Sequence, residues 1–183
     1  EFTLDLNWKV FLESFLEGYH IKPAHPETFF PFGFDNLNVV ETAGRNARIT
    51  FPFQRIAQLK DVAPEQRKVD GLLTYVYHLF PNVLIAVLSH HTTMVVLEPV
   101  AVDATRVISY SVTNNALEGE ASLEKARNDK AFVSTTGQSE DIALAKSIQA
   151  SLHSGANAFF TFGRYEKLPG HFHRNLQALL DQR

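Results

Sequence analysis

Five stretches between residues 47 and 112 are crowded with β-branched and aromatic side chains: 47–53, 72–80, 83–89, 93–97 and 105–112. Such residues fit the pleated, half-buried surface of a sheet. Pro81-Asn82 stands between the second and third stretches and Asp103-Ala104 between the fourth and fifth, so these connections are tight turns. Antiparallel meander pairing is the economical arrangement, and the flanking segments must supply the cover for such a sheet.

The flanks read as helices. Residues 7–20 place Trp8, Phe11, Phe15 and Tyr19, with Leu12 and Leu16, at helical spacing, while Lys9, Glu13 and Glu17 recur four apart on another face. This predicts an amphipathic helix ending near Pro23, with Pro26 and Pro31 reinforcing the break. Phe29 to Phe34 is then a loop that folds back towards the core, and 114–127 is polar and reads as helix or loop. A second long helix is predicted from Ser139, as its cap, to Gly155, as its stop, with Glu140 and Asp141 near its positive end. Its apolar stripe is Leu144, Ala145, Ile148 and Leu152, and one turn back lies Asp141, which therefore points to the buried side. A last strand over 158–164 and a last helix over about 169–180 complete an α+β order. No repeat or linker divides the chain, so one domain over residues 1–183 is expected, and 45% hydrophobic residues can bury its core.

Composition removes several classes of function. A formal charge of −3 without any Lys/Arg-rich run leaves no footprint for nucleic acid or anionic membranes. No apolar run approaches the roughly 20 residues that span a bilayer. The chain begins Glu1-Phe2-Thr3, without Met or a signal-peptide pattern, and reads as a piece of a longer, soluble, cytoplasmic protein. Cysteine is absent, so within these residues any metal must be held by His and carboxylates.

Three such groups stand out. His20 and His25 flank a helix end across four residues and can converge on one ion only if the chain breaks its regular helix there. Two imidazoles and one carboxylate on one face, with other positions open, suit oxygen-activating ferrous sites. Asp141 is the best third ligand, because a carboxylate on an apolar stripe is costly unless paired or metal-bound. From the residues alone the alternatives stay open: the histidines as a hydrogen-bonded pair, Asp141 as a helix-end charge, and Glu17 as a solvated member of its charge row. His90-His91 reads as a turn-exposed pair, and His171 and His173 as packing or hydrogen-bonding groups. The phenylalanines, Phe11, Phe15, Phe29 and Phe32 among them, suit an apolar pocket or plain core.

The segments Asn7-Trp8-Lys9, Glu13-Ser14-Phe15-Leu16-Glu17-Gly18-Tyr19-His20 and His25-Pro26 resemble the iron-binding signature of the α subunit of Rieske-type aromatic-ring-hydroxylating oxygenases. Ser139-Glu140-Asp141, Gln149, Gly163-Arg164 and His171-Phe172-His173-Arg174 are similar to the end of the same catalytic domain. The resemblance implies a helix-grip (START/Bet v 1-like) fold, an antiparallel sheet wrapped around a long helix. It implies mononuclear Fe(II) on His20, His25 and Asp141, and hydroxylation of an aromatic or other apolar substrate with dioxygen. It further implies that Glu17 bridges to a Rieske [2Fe–2S] cluster in the neighbouring subunit of a ring-shaped trimer, supplied from NAD(P)H through a reductase or ferredoxin. Ser14 departs from the Asn that many members carry. The cluster's Cys-x-His segments are absent, so the Rieske domain is expected outside these residues and the chain alone is expected to be inactive in turnover. Two rivals remain: a non-enzymatic helix-grip module for a hydrophobic ligand, and a zinc hydrolase using the same three ligands.

Overall fold

The five strands expected between residues 47 and 112 form, and two more extend the sheet at its edges. A computed structural model describes residues 1–114 and 119–182, apart from the side chains at 136 and 137. In chain order the elements are β1 (Phe2–Leu4), α1 (Trp8–Glu13), α2 (Ile21–Ala24), β2 (Val39–Ala43), β3 (Asn46–Pro52), β4 (Leu73–Leu79), β5 (Val83–Val87), β6 (His91–Ala101), β7 (Ala104–Thr113), α3 (Glu120–Phe132), α4 (Gln138–His153) and α5 (Lys167–Leu180). The seven strands pair antiparallel in the order β1-β7-β6-β5-β4-β3-β2. This is an α+β fold of the helix-grip type. Four residues of the stretch expected as helix or loop, 115–118, lie outside the described residues; α3 accounts for the part from Glu120.

Register gives the sheet two unlike faces. Ile49 pairs with Val76, Val76 with Ala86, Ala86 with Thr93 and Thr93 with Ser111, a row on the inner face. One residue along, Arg48, Tyr77, Ile85, Met94 and Tyr110 form the outer row, where the Arg48 guanidinium lies over Tyr77 and pairs with Glu41. A one-residue slip would exchange the two faces, so burial of the inner face holds the register. The helices cover that inner face, and the core gathers Leu6, Leu12, Leu16, Ile49, Leu84 and Leu97 with Phe172 from α5.

Several boundaries differ from the sequence reading. The first helix does not run to Pro23. Regular α1 stops at Glu13, tightens through a 3-10 turn over Ser14–Leu16, and breaks at Glu17, which is fully extended (φ −145°, ψ 175°). Tyr19 is consequently off the helix and exposed. Pro23 lies inside α2 and Pro169 inside α5, each as the third helical residue. In a first turn the N–H that proline lacks has no intrahelical partner in any case, so neither proline breaks its helix. The expected strand over 158–164 does not form: the segment is exposed and unpaired, with Phe159 79% accessible. Both sheet edges are already held by β1 and β2, and β propensity describes a fit to a sheet surface that this segment never reaches.

Ser139 is not a cap. The helix is already running when it arrives, because α3 passes into α4 through a π turn over Val133–Gly137, and the Ser139 hydroxyl donates back to the Thr135 carbonyl at 3.2 Å. Gly155 does stop α4, with φ +65° and its N–H on the Leu152 carbonyl. The buried stripe of α4 is Asp141, Ala145 and Gln149; Ile148 and Leu152 are exposed. Asp141 faces inward as expected, while the partner of the stripe's lower end is polar. The Gln149 side-chain carbonyl accepts the Asn7 N–H at 2.5 Å, and Asn7 in turn caps α1 by accepting from the Lys9 N–H at 3.0 Å. The helix carrying Asp141 is thereby bolted to the start of the helix that leads to His20. Among the described residues no helix is long and apolar enough to cross a membrane.

Changing Gln149 to Ala leaves the Asn7 N–H unsatisfied and is expected to cost about 1–3 kcal/mol. Urea unfolding of the variant beside wild type measures it, and a loss of only a few tenths of a kcal/mol would mean the bond does not hold α4 to α1.

Candidate metal centre

The break after α1 is what lets two histidines converge. Glu17 turns its carboxylate back on the chain, accepting the N–H groups of Tyr19 and His20. Gly18 passes so close to the sheet that a Cβ there would lie 3.1 Å from both Asn38 Nδ2 and Phe51 Cε1. His20 then opens the single turn of α2 and His25 closes it, with the Ala24 N–H on the His20 carbonyl at 2.8 Å. The four residues between the histidines are therefore one helical turn, and the break needed for convergence falls before His20, not between the pair.

Asp141 Oδ1 lies 2.9 Å from His25 Nε2 and 3.4 Å from His20 Nε2. The imidazole rings stand 5.3 Å apart at 71°. His25 is fully buried, and the side chains of His20 and Asp141 are each 12% accessible. The outer nitrogens are taken by further carboxylates: His20 Nδ1 by Glu17 Oε1, and His25 Nδ1 by Glu140 Oε2 at 2.6 Å. Glu140 is itself fixed by the Thr28 hydroxyl at 2.8 Å. A metal-ligating imidazole characteristically donates its second N–H to a carboxylate, which fixes the tautomer and strengthens the ligand. Here both rings are so held, with Nε2 of each aimed at Asp141. One ligand atom from each of the three residues falls within 4.8 Å of the others. This donor set fits a divalent ion of the zinc or iron class, with positions left open on the pocket side.

Electrostatics agree with the geometry. Burial lowers the His20 pKa, but hydrogen bonds and charge from Asp141 and Glu17 outweigh it and push the ring up to about 9. His25 is likewise raised against burial by Asp141 and Glu140. Burial would raise the Asp141 carboxyl, yet the two imidazoles hold it below the usual carboxylate range. Without an ion, protons on the two imidazoles offset the negative charge of Asp141 and of the glutamate behind each ring; a bound cation replaces those protons.

The site opens into a cavity of about 480 Å³ between the inner sheet face and α3. Phe29 packs on His25 with ring centres 4.8 Å apart and on Phe132 at 5.5 Å, so the Phe29–Phe34 stretch does fold back as a wall of this cavity. Glu140 escaped the sequence reading as a ligand partner, since beside Asp141 it reads only as helix-end charge. His91 is not turn-exposed: it is buried on the cavity wall, with Nδ1 2.9 Å from Asp129 Oδ2, while His90 is exposed. His173 pairs with Glu13 at 2.9 Å and His171 with Asn175 at 3.0 Å, in the hydrogen-bonding roles expected of them.

Comparison with known proteins adds a family. Residues 1–182 match the model for the ring hydroxylating alpha subunit (catalytic domain). The chain is 27% identical over 186 residues to choline monooxygenase of Arabidopsis thaliana and 27% identical over 188 residues to that of Spinacia oleracea. Those alignments take in 94% and 98% of this chain but 39% of each relative, so the chain spans about two-fifths of their length. Among solved structures, a quaternary ammonium Rieske monooxygenase, CntA, superposes with a TM-score of 0.72 at 18% identity, covering 97% of this chain and 48% of that one. Dicamba monooxygenase bound to 3,6-dichlorosalicylic acid superposes with a TM-score of 0.65 at 11% identity, covering 97% and 56%.

Three outcomes follow from the site, for stability against pH, for proton release and for metal affinity. His20 is raised, so its contribution to the stability of the metal-free protein is full below about pH 6.5 and is lost as pH rises through about 9. Asp141 is depressed, so its contribution is present above about pH 3.8 and is lost as pH falls through its lowered pKa. Metal uptake at neutral pH must then release protons; calorimetry in buffers of different ionisation enthalpy measures this, and uptake without proton release contradicts it. Changing Glu140 to Ala leaves all three ligands in place and is expected to weaken metal affinity about 10–100-fold, read from competition with a chelator.

Proposed function

The chain belongs to the ring-hydroxylating α-subunit family, as its catalytic domain, and from that membership we propose that it is the oxygenase half of a Rieske non-haem iron enzyme. The observation that carries the reading is the triad itself: His20, His25 and Asp141 converge, with a carboxylate behind each imidazole. These three residues would hold ferrous iron, which would supply the redox chemistry that activates dioxygen beside an organic substrate. The protein's own part is positioning. Glu17 and Glu140 keep both Nε2 atoms turned inward, Asp141 supplies the charge that compensates the cation, and Phe29 with Phe132 walls an apolar space next to it. We assign electron transfer to Glu17, whose carboxylate touches His20 from outside and keeps 13% of its side chain accessible. Its partner is the Rieske [2Fe–2S] domain of a neighbouring subunit, in a trimer fed from NAD(P)H by a reductase or ferredoxin. A quaternary ammonium Rieske monooxygenase of the same fold is described as using inter-subunit electron transfer, which supports this arrangement. A cytoplasmic location belongs to the same reading.

The relatives named above are monooxygenases, which supports insertion of one oxygen atom. Their names span choline, carnitine and dicamba, so membership leaves the substrate to the pocket of this chain. A hydrophobic-ligand module has no use for a buried carboxylate held between two imidazoles, and a zinc hydrolase would share the ligands.

Anaerobic reconstitution with ferrous ion tests the reading. About one iron per chain is expected, lost when His20, His25 or Asp141 is changed to Ala. No metal binding would sink the proposal, and exclusive retention of zinc would favour the hydrolase.

A further inference from the structure

Granting the oxygenase reading, one group in the pocket is unexplained by it. His91 is 2% accessible, lines the same cavity as the triad, and is held by Asp129 on α3. Asp129 Oδ2 also accepts the His90 N–H at 3.1 Å. Burial would raise its carboxyl, but the hydrogen bonds from His91 and from His90 hold it below the usual range, so it is a carboxylate and can only accept. The hydrogen on His91 therefore sits on Nδ1, and in the neutral ring Nε2 is a lone-pair acceptor.

Around His91 the inner face is rich in polar groups. Thr113 pairs with His91 across β6 and β7, and Thr93 Oγ1 and Ser111 Oγ meet at 3.1 Å one step further in. Thr74 Oγ1, also on the cavity wall, is buried with no hydrogen-bond partner among the described residues. Towards the other end the same face carries Leu84, Leu97 and Val107, and its polar residues, His78 and Thr105, are bonded to the backbone carbonyls of Pro81 and Leu6.

The helix geometry puts this polar end and the triad on one wall. Asp129 and Asp141 are 12 residues apart by their numbering, which in an unbroken α-helix would set them about 120° out of phase. The π turn between them inserts one residue and takes back about 100°, so both carboxylates face the cavity. They remain separated by about 18 Å of helix, with the Phe29 and Phe132 rings between.

We propose that His91, fixed by Asp129, is a specificity-determining residue that accepts a hydrogen bond from a hydroxyl or N–H at the end of the substrate remote from the carbon that is oxidised. The substrate class is then an elongated molecule with an apolar body across the phenylalanines and a hydrogen-bond donor at its far end.

Three probes of one shape test this on the full-length, iron-loaded protein: 4-butylphenol, its methyl ether 4-butylanisole, and 4-butylbenzoate. Calorimetry is expected to give binding of the phenol about 5–10-fold tighter than the ether. That preference should fall to within about twofold in His91→Phe. Asp129→Asn, which releases the Nδ1 hydrogen, should reduce it as well and serves if His91→Phe does not fold. Equal binding of phenol and ether by wild type overturns the proposal, as does tightest binding of the benzoate in a His91-dependent way, since the ring would then be donating. Iron content is measured on the same samples. Protein that takes up no iron yet prefers the phenol overturns the oxygenase reading and keeps this one; iron-loaded protein without the preference does the reverse.

Discussion

A carboxylate buried between two imidazoles is the constraint on which the rest of this structure depends. A charge such as that of Asp141 is tolerated away from water only when partners surround it. Here the partners come from a segment more than a hundred residues earlier in the chain. Holding them in place has required a break at Glu17 and Gly18, a one-turn helix to separate His20 from His25, and a glutamate behind each ring. The Gln149 to Asn7 bond serves the same end two turns below Asp141. Much of what looks irregular in the amino-terminal third is the cost of bringing two ring nitrogens to one oxygen.

The sheet supplies a different kind of order. Along the cavity its inner face passes from Val76 and Val95 to the hydroxyl and imidazole groups around His91, while the outer face is closed by stacked Arg48, Tyr77 and their neighbours. The cavity is thus graded along its length, with one polar pole at the triad, aromatic rings between, and a second polar pole on the opposite end of the same helix. Such grading orients an amphiphilic molecule without any charged pair having to form in the interior.

The parts of the architecture that were legible in the sequence share a physical reason. The strands from β3 to β7 are marked by runs of β-branched and aromatic residues and the inward face at Asp141 by helical periodicity, and both survive tertiary packing because burial enforces them. What misled was local chemistry read without its neighbours. Ser139 has the character of a cap but arrives in mid-helix, and Pro23 falls where a helix tolerates it. Phe159 and Phe160 have strand character with no edge to join. The outer partners of the histidines were hidden for a related reason: Glu140 next to Asp141, and Asp129 in a charged stretch, look like solvated residues until the fold places an imidazole against each. The three ligands were legible in part, because weak spacing for His20 and His25 gained weight from a carboxylate on an apolar stripe and from the resemblance.

The π turn between α3 and α4 acts as a phase shifter. Deleting a single residue there would restore an unbroken α-helix, a change that local helical energetics favours, and the hydrophobic sheet beneath would be untouched. Everything on one side of the deletion would nonetheless be rotated by about 100° relative to the other, so the helix could present Asp141 or Asp129 to the cavity but not both. The chain therefore carries a point at which length, and not side-chain chemistry, governs whether the two ends of its pocket are in register. Homologues that differ by one residue in this turn would be wired to a different far wall while keeping the same metal ligands.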